Sequence, residues 1–506
     1  MFVPALQTVA TPYAQPPTTQ KIMSPLLNGG INNNHPITIA PNQIWWGENC
    51  VSLPDGIAVA QGYNQLNSTT YSNGFVYNTH LNGKDYLLVF SGSVVQEYYT
   101  GISYTASSNF TAPSIANWQN QQTLILDPNN AYLSWNGSSF SLIDSTVKGY
   151  YLTVWQGRVY YVSPNQNALV YSAPLSYDNW SLASGGGVIL FTDSELKNVI
   201  YDLQPYQNSL FILGDNGLYT LTWYGVLEGY LTPQISLVQN GFHAIPYGLT
   251  LWYGTPLVSG QNAIYTTQHQ VLTQNFPSLQ IQWTAYKNYL NKYPALVVYG
   301  IVQDVMHYQQ TTPVLLVYFN NTWNVINYGM SFYHITPYPD SQNRLFGISS
   351  SGLFEILSDT VSQSSYFIIS GDPNKERQTV SLRCLRFGAY YTVEGNNVPT
   401  FSGGVNTLNL NILNSGFTEV NNQPQNMSAA NLLALWSPSA TWTNASNSTE
   451  YFYFPAAYIL SPVFPVSQSS NAYGVLYSYL SVSNANPNDR LLNLIWEIEP
   501  IADVFG

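Results

Sequence analysis

SLFILGDNGLYTLTW, residues 209–223, decides the fold. An apolar run at 210–213 meets Gly-Asp-Asn-Gly, and a second run of Leu, Tyr and Thr follows. The runs are rich in strand-forming residues, and the turn holds the Gly and Asn that a tight hairpin needs for positive φ. RLFGISSSGLFEIL at 344–357 repeats the design. Working outward, the same unit recurs as LLVFSGSVVQEYY (87–99), TLILDPNNAYLSWNGSSFSLI (123–143) and YLTVWQGRVYYVSPNQNALVYSAP (151–174). It recurs again as PLVSGQNAIYTTQHQVL (256–272) and PVLLVYFNNTWNVI (313–326). About seven hairpins at intervals of a few tens of residues predict an all-β chain with radial repetition, a β-propeller. Two stacked β-sandwiches are the competing arrangement, since they too are made of hairpins.

Size and composition agree. A chain of 506 residues is too long for one ordinary core, and blades add residues without deepening it. Hydrophobic residues make up 45%, enough to fold, but only 8% are charged, against about 25% in an average soluble protein. Polar surface must come from Asn, Gln, Ser, Thr and the 41 tyrosines. The formal net charge is -12, from 13 basic and 25 acidic residues, which excludes a chain built to grip phosphates. A surface so poor in charge fits burial in an assembly or an acidic medium, where carboxylates lose their charge and amides keep their character. The acidic reading predicts stability that stays flat from about pH 2 to about pH 7.

The composition divides the chain into an extended N-terminal arm (1–40), a β-propeller (41–374) and a C-terminal β-sandwich-like domain (375–506). The last junction is marked by KERQTVSLRCLR, which holds Lys375, Arg377, Arg383 and Arg386. These four form a candidate interface for an acidic partner, weighed evenly against a solvated linker strand. Cys50 and Cys384 are too few for a disulfide framework; two buried thiols are expected, with a single long-range bridge as the alternative. The N-terminus lacks the basic and apolar regions of a signal peptide, and no run approaches the roughly 20 apolar residues of a membrane span.

Catalytic patterns are not found, and no enzyme activity, cofactor or metal is expected. His35, His80, His243, His269, His307 and His334 show no metal-ligand spacing. Glu497 and Glu499 alternate on one strand, whereas glycosidase partners usually come from different strands. Asp127 and Asp215 read as turn residues. Trp45, Trp46, Trp118, Trp135 and Trp180 fall near expected loops or strand ends and are candidate sugar platforms, against the commoner reading that they are buried.

Three stretches carry a resemblance. They are NGGINNNHPITIAPNQIWWGENCVSLPDGIAVAQG (28–62), RVYYVSPNQNALVYSAPLSYDNW (158–180) and VIYDLQPYQNSLFILGDNGLYTLT (199–222). Together they resemble the tail nozzle, or packaged-DNA-stabilisation, β-propeller proteins of short-tailed bacteriophages. The scarcity of charge departs from common phage proteins and points toward an archaeal-virus counterpart. The resemblance implies a virion structural protein, assembled in the host cytoplasm into a homo-oligomeric ring, a hexamer in that family. The ring would lie below the portal and adaptor and pass genomic DNA without binding it specifically. Six copies would carry about -70 formal charges, a lumen to which phosphates do not adhere. The alternatives are a secreted or surface glycan-binding propeller and a receptor-binding tail spike.

Overall fold

The computed structural model describes residues 20–34, 38–191, 199–215, 217–227, 230–303, 311–371, 382–393, 399–410, 417–420, 425–428, 452–454 and 474–500. Seven small antiparallel sheets follow one another along the chain, at 75–105, 114–144, 150–190, 200–240, 244–266, 280–326 and 332–362. Each contains one of the hairpins read from the sequence. The first strand of each sheet lies beside the first strand of the next, and that of the seventh returns to that of the first. This is the neighbour pattern of a β-propeller, with each sheet a blade and the first strands innermost.

The seventh blade is completed from elsewhere. Gln61–Asn67 pairs antiparallel with Gly352–Ser362, bringing an N-terminal strand to the outside of the last blade. It covers an edge that would otherwise present unpaired backbone groups. The approach is close at Gly352 (φ 142°), where a Cβ would stand 2.1 Å from the Asn67 carbonyl oxygen. Only glycine fits there.

The remaining strands build two six-stranded sheets. One joins Cys50–Leu53, Gly56–Val59, Arg490–Pro500, Leu382–Val393 and Phe452–Phe454, with Gln20–Met23 on Arg490–Pro500. The other joins Ile44–Glu48, Ser365–Ser370, Gly474–Ser483, Thr400–Leu410, Phe417–Val420 and Gln425–Ser428. The domain limits set at 41 and 374 are therefore corrected. Residues 44–59 and 365–370 belong to the two sheets that contain the C-terminal strands, and the seven blades run from 61 to 362. Residues 41–60 read as propeller because the strands that join Ile44–Glu48 and the Cys50–Val59 hairpin to the rest of their sheets lie more than 300 positions away, beyond the reach of local pattern. Of the expected arm, 1–19 lies outside the described residues, while Gln20–Met23 is a paired strand.

One core joins the two parts. Trp45, Trp46, Ile368, Leu480 and Trp496 pack with Leu296, Leu316 and Trp323 of the sixth blade. The Ser52 amide donates to Asn324 Oδ1 at 2.7 Å and the Asn49 amide to the Val325 carbonyl at 3.0 Å. Cys50 is a free, buried thiol, pushed up by that burial and by nearby Glu48.

Candidate functional site: the axial pocket

The innermost strands are less regular than the hairpins behind them. In five successive blades the register slips: between Tyr150 and Thr153, Ile200 and Asp202, Ala244 and Leu249, Ile281 and Trp283, and Phe332 and His334. A bulge re-aims a side chain and is over-represented beside functional sites. Tyr151, Asp202, Tyr247, Trp283 and His334 lie within or at the end of these irregular steps, and all five line one pocket of about 340 Å³. Tyr151 and Tyr247 have left-handed backbones (φ 52° and 57°), unusual for a bulky residue.

Aromatic rings run round this pocket from blade to blade. Tyr151 meets Tyr247 edge-on with centroids 4.9 Å apart. Tyr247 meets Trp283 at 5.6 Å, Trp283 meets His334 at 4.5 Å, and His334 meets Tyr77 at 4.7 Å. Outward hydrogen bonds fix most of them. Trp283 Nε1 donates to the Tyr333 carbonyl at 2.9 Å, and the Tyr77 hydroxyl to the Pro113 carbonyl at 2.7 Å. The buried Tyr247 hydroxyl has no hydrogen-bond partner among the described residues. Tyr338 crosses from beyond the seventh blade's first strand to the fourth blade, where its hydroxyl donates to Gln204 Oε1 at 2.7 Å.

Two titratable groups stand out. Asp202 accepts from the Leu203 and Leu249 amides, each at 2.8 Å. Burial nevertheless dominates and pushes its carboxyl up from 3.8 to about 7. His334 accepts from the Val76 amide at Nδ1 (3.3 Å), and burial holds it down at about 3, so it is neutral at ordinary pH. Burial also raises Tyr77, Tyr151 and Tyr247, and it raises Tyr338 at its hydroxyl end, which is tucked against Gln204 while the rest of the side chain is exposed.

A second hollow of about 490 Å³ adjoins the first and shares Tyr77, Ile115, Pro337 and Tyr338 with it. At its rim, His80 Nδ1 lies 2.8 Å from Asp85 Oδ1, and the Ser341 hydroxyl donates to Asp85 Oδ2. Burial raises the Asp85 carboxyl, but the bonds from Ser341 and His80 outweigh it and hold the group low. The carboxylate stands between serine and histidine. A nucleophilic serine needs the histidine beside it, so this order does not activate Ser341.

The sequence-predicted interface is only partly visible. Lys375 and Arg377 lie outside the described residues. Arg383 and Arg386 lie on Leu382–Val393, where the register sets Arg383 opposite Glu499 and Arg386 opposite Glu497. The tryptophan platforms are overturned. Trp45, Trp46, Trp118 and Trp135 are buried, and half-buried Trp180 packs on Tyr132 and Tyr161. Asp127 is no simple turn residue: fully buried, it accepts from the Thr111, Ala112 and Asn129 amides and from Asn130. The pocket residues gave little local signal, because only the ring of blades brings them together. Among the described residues no group of three or more His, Cys, Asp or Glu could hold a metal, and no helix is long and apolar enough to cross a membrane.

No family model matches the chain, and no curated protein matches it significantly. Among solved structures it is similar to the extracellular domain of a one-component system from B. thetaiotaomicron, at 11% identity over 58% of this chain and 40% of that one, with a TM-score of 0.40. The chain thus spans about two fifths of that protein's length. It is similar to the Cps50 (Swd1) β-propeller domain of Myceliophteria thermophila, at 10% identity over 58% and 98%, TM-score 0.38. It is also similar to an auxiliary nutrient-binding protein from Bacteroides thetaiotaomicron, at 9% identity over 67% and 76%, TM-score 0.33. The propeller itself rests on this chain's own strand order and ring of inner strands.

Proposed function

We propose that this chain is a structural subunit of a virion, the tail nozzle of a short-tailed bacteriophage or an archaeal-virus counterpart, built as a homo-oligomeric ring. The carrying observation is where the apolar surface lies. Leu142, Val188, Leu190, Leu237 and Val238 are exposed on the outermost strands of three consecutive blades, the second to the fourth. Leu175 and Leu182 stand exposed on the adjoining loop of the third blade, at 77% and 80%. Isolated exposed leucines are ordinary, but a series along one side of a molecule suits burial against another protein. The loop is held in shape. Arg158 donates from Nη1 to the Ser172 carbonyl (2.7 Å) and the Gly185 carbonyl (2.6 Å), and its guanidinium lies over the Trp223 ring.

The DNA path of such a ring would run between copies. The axial pocket of about 340 Å³ is far too small for a duplex whose major groove alone is about 12 Å wide. Portal, adaptor and other tail proteins would meet the ring's ends. Sedimentation and negative-stain microscopy of the purified full-length chain test the reading. Closed rings that Val188→Lys with Leu190→Lys breaks into monomers are the expected result. A parent chain that stays monomeric at tens of micromolar would overturn it. The second reading, a surface-binding propeller, is favoured by the axial pocket rather than by the tryptophans first considered.

A further inference from the structure

We propose that the axial pocket is a receptor site for a small organic cation, an amine or quaternary ammonium group, held among aromatic side chains against the Asp202 carboxylate.

The first ground is how the pocket is built. Five inner strands break register, and each break brings a lining residue to the same hollow. Bulged strands and two left-handed tyrosines cost stability that a merely filled axis would not require. The hollow is large enough for a molecule of a few heavy atoms and is only partly closed from the cleft outside it, with Tyr338 at the boundary.

The second ground is its chemistry. The lining has five large aromatic side chains (Tyr77, Tyr151, Tyr247, Trp283 and Tyr338), one carboxylate, and no lysine or arginine. Lys287 lies on a strand that lines the pocket, but it is turned away, donating to the Asn343 carbonyl at 2.7 Å and pairing with Asp359 at 3.3 Å. Asp202 has two backbone donors, and no cation pairs with it among the described residues. Ring faces attract cations, most strongly where water is excluded, and quaternary ammonium groups are recognised by aromatic surroundings. The chain's negative formal charge favours the approach of a cation over an anion. A neutral hydroxylated ring would use the aromatic surfaces but would leave the carboxylate without a counter-charge.

Other groups facing Asp202 do not compete. The hydroxyls of Tyr77, Tyr151, Tyr247 and Tyr338 are all raised and stay protonated, Asp127 is saturated by its own donors, and His334 stays neutral above about pH 3. Cation binding should therefore follow the ionisation of Asp202 alone, strengthening as pH rises through about 7.

The test is calorimetric titration of the full-length chain at pH 8 with choline and with its uncharged isostere 3,3-dimethyl-1-butanol. Choline should bind one to one, at least tenfold more tightly than the isostere, and its affinity should fall at least tenfold at pH 5. Asp202→Asn should remove the preference for the charged ligand. Tyr338→Leu, a change at the surface, should weaken choline at least threefold with the fold intact by circular dichroism. Equal affinity for the two ligands, no choline binding, or saturable binding of methyl glucoside with none of choline would each overturn the proposal.

Discussion

The innermost and outermost strands of this propeller draw on the same uncharged residues and use them in opposite ways. Inside, Tyr151, Tyr247, Trp283 and His334 are turned by register breaks toward a shared pocket and touch ring to ring. Outside, Leu142, Val188, Leu190 and Leu237 lie on the outermost strands and face solvent, in a regular ladder in the third blade and beside register breaks in the second and fourth. The axis spends backbone regularity to collect side chains. The edge turns no side chains toward a shared hollow and leaves apolar area uncovered. Loss of burial completed within one chain shows in that chain's own stability, whereas loss of burial deferred to assembly shows in self-association.

The largest effect is expected at the axis. Trp283 packs against the core of the sixth and seventh blades and against that of the first and second. Trp283→Ala should lower unfolding free energy by about 3 kcal/mol in urea, since a large aromatic leaves a cavity its surroundings fill poorly. A loss under about 1 kcal/mol would mean that the ring of aromatics does not brace the blades.

Titration gives the next effect. Asp202, raised from 3.8 to about 7, binds a proton in the fold that the unfolded chain has released, so its contribution falls as pH rises from about 4 to about 7. His334, lowered from 6.5 to about 3, does the reverse: the unfolded chain binds the proton, so its contribution grows as pH rises from about 3 to about 6.5. Between about pH 4 and about pH 6.5 the two slopes oppose each other, which bears on the flat profile expected from the sparse charge. Relative to the parent, Asp202→Asn should become steadily more stable with rising pH, by roughly 1–3 kcal/mol across that window. His334→Phe should show the opposite slope. Melting temperatures at half-unit pH intervals measure both, and parallel profiles for parent and variants would remove the pair from any account of pH tolerance.

The same contrast explains what could be read in advance. The hairpins behind the axis were legible because strand and turn chemistry are local: Leu210–Leu213 and Gly214–Gly217 sit next to each other in the sequence and in the blade. The pocket was not. Asp202 lies in a strand of ordinary appearance, and its meaning comes from a bulge and from Leu249, which lies 47 positions away. Trp45 and Trp46 were legible as aromatic but not as core, because Ile44–Glu48 finds its partner, Ser365–Ser370, at the far end of the propeller. Sequence pattern reports the period of a strand and is silent on which distant strand it joins.

A smaller effect of opposite sign is expected at Tyr247. Its buried hydroxyl has no hydrogen-bond partner among the described residues, while its ring packs on Tyr151 and Trp283. Tyr247→Phe keeps the ring and removes the unsatisfied group, so it should stabilise the chain by about 1 kcal/mol. Destabilisation would show that the hydroxyl has a solvent partner in the pocket.

The outer edge should give the smallest change of all in the isolated chain. Val188 and Leu190 are 56% and 65% exposed in the outermost strand of the third blade, which among the described residues is paired on one side only. Replacing both with Ser removes area that folding never buried, so unfolding free energy should shift by no more than about 0.5 kcal/mol. The same pair of changes should weaken self-association at least tenfold by sedimentation if that strand is an interface between copies. A large loss of monomer stability would place these side chains in the chain's own core and erase the contrast between axis and edge. An unchanged association constant would leave that contrast intact and move the interface to another blade.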